Sequence, residues 1–428
     1  MAYMKVKVMV LLSVLALSRL GVSQVQPSFF GMHVNKLTSM PVQLPFTSMR
    51  LWDTGTNWFQ ICPDSDYSRC DWQRLDKFLA AAKSNGVSEV LYTFGKTPAW
   101  ISSQPRGDCW GAKEGVCYPP RDLSPDGKGS DAAFQGFVRA IVEHNRRLDP
   151  NTYAHIKFWG IWNEPHTKQF WRGTVQQMVR MTKDAREIIK NADPDALVLT
   201  PEPASNAKHG NYDIAGDWMD EFLSAGGGAY VDVIAFHIYP NNNEGHPVPE
   251  EAVKMIDHLK SKLARHPEVA GKPLWMTEGS WGRNDDTNWG GSPDQAAAFL
   301  MRYETLLAAA GIQRAYWYCL DAGWGNLSEN GFESGQAAYR TMHDWLLGRT
   351  VTNCSSKSHV WSCALEGPNF KGNIVWHDEY EKTTSFDPKG FAAIREAGRE
   401  SVALDPKAGR LTIGNKPVLL ETAAAGGR

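Results

Sequence analysis

No stretch of this 428-residue chain has the spacing of a metal, nucleotide or serine-nucleophile motif. The twelve histidines are scattered, with neither HxH nor HExxH, so a cluster of zinc ligands is not expected. GxSxG is missing, which removes the serine nucleophile on a strand–helix turn. No GxGxxG or P-loop opens a helix, and no cofactor is called for. A formal net charge of -2 and a pI near 6.6 leave no electrostatic case for nucleic acid or an anionic membrane surface. Long apolar runs are scarce too. The run Val8–Leu17 is too short to span a bilayer. With Lys5 and Lys7 before it and the small residues Gly21 and Ser23 after it, it reads as a secretory signal peptide over 1–23, cleaved before Gln24. No Cys follows the cut to take a lipid, so the mature chain is expected to be secreted, extracellular or periplasmic, with no integral membrane segment.

The cysteines fit export. Cys62 and Cys70, Cys109 and Cys117, and Cys354 and Cys363 bracket three short loops, and local pairing is the economical reading. Cys319 is left over in AYWYCL and reads as a buried core thiol; no CxxC points to a metal. Aromatic residues are plentiful. Many of the 17 Trp fall in Gly- and Asn-rich stretches, where a packed core does not require them. A large ring in a loop is a natural platform for the flat C–H face of a sugar.

Eight β-rich runs alternate with helical patterns: 29–35, 48–53, 88–95, 156–164, 196–203, 231–240, 273–281 and 314–323. Between most of them, apolar residues recur every three or four positions, as in 71–86, 131–147, 174–192, 249–266 and 292–311. Such alternation predicts a parallel sheet, and eight strands match an α/β (β/α)8 TIM barrel, typically about 250 residues before insertions. Helix-to-strand connections such as NADPD are short, whereas the strand-to-helix segments 96–130, 203–214, 240–248 and 280–293 are long. A barrel elaborates the face at its strand C-termini, so function is expected there. A doubly wound open sheet is the alternative. From about residue 348 the pattern turns to strands and turns. The expected domains are a barrel over 24–347 and a small antiparallel β-domain over 348–428, with residues 24–30 as candidates to complete it. DPKGFAAIREAG reads as an exposed linker within it.

Two carboxylates end strongly apolar runs. Strand four finishes FWGIWNEP with Asn163 and Glu164, and strand seven finishes LWMTEG with Glu278. On a barrel both reach one mouth. Cleaving a glycosidic bond needs such a pair: one group protonates the departing oxygen, and the other attacks the anomeric carbon or activates water. Taken singly, either Glu is an ordinary solvated strand end. WNEP at 162–165, with Glu at the ends of strands four and seven, resembles the retaining clan A glycoside hydrolases. FFGMHVN, PFTSMRLWDTGTNW and LYTFGKTPAWISS are most similar to glycoside hydrolase family 39, over about 28–346. The resemblance implies double displacement on a poly- or oligosaccharide, with Glu164 as acid/base and Glu278 as nucleophile.

The remaining roles follow from that assignment. Trp162 and its neighbours are expected to desolvate Glu164 and raise its pKa, and Arg50 to hold Glu278 ionised. Asn163 is a candidate partner for the sugar 2-OH. His237 and Tyr239 share one strand face and resemble the clan's HxY element. Tyr239 is expected to orient the nucleophile, and His237 to touch substrate or the acid/base; the alternative is a His and Tyr satisfied in the core. His33 is a candidate for a sugar hydroxyl, and Asp53 for pairing with Arg50. Glu202 and Asp321 read as substrate contacts or structural groups. Trp100, Trp281, Trp289 and Trp324 are the candidate platforms, and Lys96 and Arg283 are isolated candidates for an acidic sugar. The competing readings are a carbohydrate-binding barrel without turnover and a transglycosylase using the same carboxylates.

Overall fold

The computed structural model describes residues 23–39, 42–109, 114–206, 213–240, 247–283, 292–328, 333–405 and 409–423. The signal-peptide expectation over 1–23 lies, except for Ser23, outside them, as does Trp289. The eight runs appear as parallel strands β1 (Phe30–Met32), β2 (Ser48–Leu51), β3 (Glu89–Thr93), β4 (Ile156–Gly160), β5 (Leu197–Leu199), β6 (Ala204–Asn206), β7 (Ile234–Tyr239), β8 (Leu274–Gly279) and β9 (Arg314–Trp317). Their order is β5-β4-β3-β2-β1-β9-β8-β7-β6. β5 comes from the run 196–203, whereas β6 follows it inside the long connection expected over 203–214; Pro201 and Pro203, which have no N–H to give a ladder, part the two. The ring closes across that break: Leu199 bridges Val233, and Thr200 N–H donates to the Val233 carbonyl at 3.0 Å.

The five expected helices form: α2 (Gln73–Ser84), α3 (Ala132–Arg147), α4 (Val175–Ala192), α6 (Glu251–Leu263) and α7 (Pro293–Ala309), with a single turn α1 (Trp58–Ile61) ahead of them. α4 shows why. Thr174 accepts from Gln177 N–H while the Gln177 side chain returns to Thr174, closing a capping box. Met178, Met181, Ala185 and Ile189 then bury one stripe against the sheet. Two further helices, α5 (Ile214–Ser224) and α8 (Glu333–Leu346), interrupt their apolar spacing with Gly216 and Gly335 and were not read from the pattern. Gly216 is needed: a Cβ there would meet the His258 ring of α6 at 2.6 Å.

Inside the barrel an apolar plug of Leu91, Phe158, Leu199, Val233, Ala235, Trp275 and Tyr316 fills the lower layers. Arg314 closes it from below, its guanidinium 4.6 Å from the Phe158 and Trp275 rings and paired with Glu89. Above the plug, the strand C-termini carry a polar layer.

The tail folds as an antiparallel sheet in the order β10 (Thr350–Lys357), β11 (Val360–Gly367), β12 (Phe370–His377), β17 (Val418–Glu421), β14 (Ala393–Arg395) and β15 (Val402–Ala403). A ribbon of β13 (Thr384–Phe386) and β16 (Leu411–Ile413) accompanies it. The stretch DPKGFAAIREAG is not an exposed linker. It contains β14, whose Ile394 pairs with Leu420 and supplies an apolar side chain to the sheet's own core. Val25 exchanges backbone hydrogen bonds with Gly348 and Arg349 at 2.8 Å. Disulfides Cys62–Cys70, Cys109–Cys117 and Cys354–Cys363 close the three short loops, and Cys319 is a buried free thiol. None of the described helices is long and apolar enough to cross a membrane.

Helix α7 lies between barrel and tail sheet, so it is buried around its whole circumference rather than on one stripe. That burial traps two charged residues. Arg302 reaches Glu250 at 3.3 Å, and Glu250 accepts from Trp376 Nε1 of β12 at 2.7 Å, joining the domains. Glu304 has no hydrogen-bond partner for either oxygen among the described residues, and burial pushes its pKa up to about 8. The folded state therefore binds a proton that the unfolded chain releases near the ordinary carboxylate value, and stability falls as pH rises through that window. Glu304→Gln is expected to match wild type in thermal melts at pH 4. At pH 8 it should be more stable by on the order of 2 kcal/mol.

Candidate active site

The polar layer is organised by Arg50 of β2, whose side chain is fully buried. Its Nη1 donates to Glu278 Oε2 at 2.7 Å, and its Nη2 donates to Asn163 Oδ1 at 2.8 Å and to Glu202. Nε donates to Thr93 Oγ1 at 2.9 Å. A guanidinium out of water needs such a full set of acceptors. Glu202 approaches because residue 160 is glycine; a Cβ there would stand 2.3 Å from Glu202 Oε1 and 3.0 Å from Thr93 Oγ1.

Glu278 is aimed by a register shift. Met276 pairs with Phe236, but Glu278 rather than Thr277 pairs with His237, so β8 holds an extra residue against β7. Such a bulge re-aims side chains, and here it sets Glu278 beside His237 and Tyr239 on the inner face. Tyr239 OH donates to Glu278 Oε1. Burial and the Glu278 charge hold the Tyr239 pKa well above its ordinary value, so the phenol keeps its proton.

Glu164 sits where β4 has ended. Its φ of +41° lies in the left-handed region, which costs a non-glycine residue about 1 kcal/mol or more. The conformation is held by hydrogen bonds from Glu164 N to the Glu202 carbonyl at 3.0 Å and from Glu202 N to the Trp162 carbonyl at 2.9 Å. The carboxylate turns toward His237, with Oε1 at 3.0 Å from Nδ1. One oxygen of Glu164, one of Glu278 and a ring nitrogen of His237 lie within 4.8 Å of one another. That spacing alone would suit a divalent cation, but Arg50 already places a permanent positive charge on Glu278.

Electrostatics correct one expectation. Burial alone would raise the Glu164 pKa, but the hydrogen bond and charge of His237, aided by His166 and Arg50, pull it below the ordinary value. Trp162 does not enforce desolvation from the cavity side: it is buried, edge-on to Trp171, with Nε1 donating to the Phe170 carbonyl. For Glu278, burial and the neighbouring Glu164 charge push upward against His237, Arg50 and Tyr239, leaving it raised. Burial lowers His237, but Glu278, Glu164 and Glu202 more than reverse this and bring it to about 9.

A cavity of about 660 Å³ opens above this layer, lined by both carboxylates, Asn163, Tyr239 and Trp324. Trp324 stands edge-on to Tyr239 at 5.2 Å and keeps a partly exposed ring, as a platform requires. Other candidates are placed elsewhere. His33 is fully buried and donates through Nε2 to the Thr277 carbonyl at 3.0 Å, so it has no route to a sugar hydroxyl. Glu202 is equally buried and serves Arg50 and Thr93 rather than substrate. Trp281 is buried against Phe299 and Trp317, and Trp100 packs on Trp58 with Nε1 bound to the Cys62 carbonyl; neither lines the cavity. Asp321 accepts from the backbone N–H groups of Asn35 and Lys36 and so fixes the turn after β1. Asp53 does not pair with Arg50; it faces the cavity and accepts from Tyr318 OH at 2.5 Å. Arg283 is exposed and outside the lining, whereas Lys96 lines it with Nζ 5.4 Å above the Trp52 ring.

The lining also includes Trp52, His166, Phe170 and Tyr318, which sequence reading passed over. Trp52 had a usable signal, standing two residues after Arg50 at strand period. His166 and Phe170 lie on an irregular loop with no periodicity to read. Gly160→Ala is expected to fold but to displace Glu202 and with it Arg50. Activity should drop at least tenfold and the acid limb of the pH profile should move upward, as measured by steady-state kinetics.

Residues 143–339, which include both carboxylates, match the family profile described as glycosyl hydrolase catalytic core. No curated protein matches the chain. Among solved structures, it is similar to a family 39 glycoside hydrolase from Bacteroides cellulosilyticus WH2, with 15% identity over 93% of this chain and 81% of that one and a TM-score of 0.66. A monomeric beta-xylosidase from Caulobacter crescentus CB15 gives 14% identity over 94% and 98% of the two chains, with a TM-score of 0.63. The GH39 enzyme from Xanthomonas axonopodis pv. citri gives 15% over 93% and 95%, with a TM-score of 0.61. The resemblance read from WNEP and the strand-end glutamates is borne out, and the chain carries the catalytic core of a glycoside hydrolase in a fold shared with family 39 enzymes.

Proposed function

We propose that the protein is an exported retaining glycosidase in which Glu278 is the nucleophile and Glu164 the acid/base. The observation that carries this is that one oxygen of Glu164 and one of Glu278 lie within 4.8 Å of each other on one cavity, too close to leave the gap of an inverting pair. Retaining pairs stand about 5–5.5 Å apart, and inverting pairs leave room for water at about 6.5–9.5 Å. Arg50 and Tyr239 fill the outer lone pairs of Glu278 and hold it facing the cavity. Glu278 attacks the anomeric carbon as the glycosidic oxygen leaves with a proton from Glu164. Water, deprotonated by Glu164, then displaces Glu278 from the glycosyl ester. Asn163, oriented by Arg50, is the partner for the 2-OH, and Trp324 the platform beside the nucleophile.

The three disulfides and the apolar N-terminal run support export. The sugar is open to screening on poly- and oligosaccharides. Since solved neighbours include beta-xylosidases, a β-xyloside is the first to try.

Glu278→Ala is expected to lose hydrolysis of the natural glycoside by at least a thousandfold. With an activated aryl glycoside, azide should restore turnover and yield a glycosyl azide of inverted anomeric configuration, read by NMR. Full hydrolysis in that variant without azide would remove the nucleophile assignment. The pH profile of kcat/KM should be bell-shaped. Activity falls at low pH as Glu278 takes a proton above its ordinary range, and at high pH as the His237–Glu164 pair loses one near 9.

A further inference from the structure

His237 is surrounded by carboxylates. Nδ1 lies 3.0 Å from Glu164 Oε1 and 3.8 Å from Glu278 Oε2, while Nε2 faces Glu202 Oε2 at 3.5 Å. The ring is fully buried and absent from the cavity wall, so substrate does not reach it. A neutral imidazole protonates one nitrogen and turns the lone pair of the other toward a carboxylate. Here one tautomer turns a lone pair on Glu164 at hydrogen-bond distance, and the other leaves a buried lone pair at Nε2, which has no hydrogen-bond partner among the described residues, facing the Glu202 anion across 3.5 Å. Only the doubly protonated ring suits both sides. The other groups bearing on it are Arg50, His33 and His166; burial and nearby positive charge lower both histidines, leaving them neutral.

We infer that His237 is an imidazolium in the resting enzyme and stores the proton that Glu164 delivers to the leaving group, with the charge on Glu278 timing its release. This rests on the proposed roles of the two glutamates. As Glu278 forms the C–O bond to the anomeric carbon, its negative charge is consumed 3.8 Å from the ring and the imidazolium loses a stabilising anion. Its Nδ1 proton then passes to Glu164 Oε1, and Glu164 hands a proton to the departing oxygen. The glycosyl-enzyme is left with neutral His237 and anionic Glu164, the form needed to deprotonate water. Hydrolysis of the ester returns the charge to Glu278, and the proton from water moves through Glu164 back to Nδ1. Protons and charge balance over the cycle. His237 is thus a positioning residue that acts through Glu164.

The test reads protonation directly. In protein labelled with ¹⁵N-histidine, with His237→Asn to assign the resonance, the His237 ring should show imidazolium shifts at pH 7. In Glu278→Gln, which removes the charge as ester formation does, its titration should move down by at least one pH unit. A neutral ring in wild type, or a titration indifferent to Glu278→Gln, overturns the inference. His237→Asn supplies the kinetic arm, because its amide keeps an N–H toward Glu164 but stores no proton. On the sugar that wild type turns over fastest, kcat/KM for the phenyl glycoside should fall at least thirtyfold. For the 2,4-dinitrophenyl glycoside, which departs without a proton, it should fall less than threefold. Equal losses on both mean that His237 is only structural. Azide rescue of Glu278→Ala reports separately on the glutamate roles, so the two readings fail distinguishably.

Discussion

A buried guanidinium governs the upper layer of this barrel. Arg50 has no water to return to, and its donors are met by Glu278, Asn163, Glu202 and Thr93 from four different strands or strand ends. Removing one partner of such a network leaves a charge stranded in low dielectric, which costs far more than the pairing itself gains. Each acceptor therefore has one tolerable position. The carboxylate of Glu278 and the amide of Asn163 are fixed in relation to each other because both answer to the same cation.

Local irregularities supply what regular strands cannot. A bulge turns Glu278 rather than Thr277 toward His237, a glycine at 160 admits Glu202, and two prolines part β5 from β6 so that the Glu202 backbone can hold Glu164 in a left-handed conformation. Each departs from ideal geometry at the C-terminal end of a strand, the end where barrels place their chemistry. Below them the plug of Leu91, Phe158, Trp275 and their neighbours is apolar and gives the polar layer a rigid floor.

Charge in the layer is arranged so that the two cavity glutamates differ through their neighbours. Glu278 faces Arg50 and Tyr239, both permanent donors. Glu164 faces His237, a donor that can lose its proton. Two carboxyl groups of one residue type thereby meet different surroundings, and Trp162, two residues before Glu164, does not set them.

Strand-end residues were legible because strand period and apolar runs locate them without reference to any partner: Glu164, Glu278, Tyr239 and Arg50 all follow from where a run begins and stops. The eight-strand ring was legible for the same reason, as was the pairing of cysteines eight or nine residues apart. Depth was not. His33, Glu202 and Trp281 look like rim residues in sequence, yet each is covered by chain from distant segments, and His166 and Phe170 reach the cavity from a loop with no repeating pattern. Periodicity is a property of one segment, so the chain alone settled which residues end strands. Burial and pKa are properties of what packs around a group, so the choice of His237 as the partner of Glu164, and the reversal of the pKa expected there, arose only when four strand ends met.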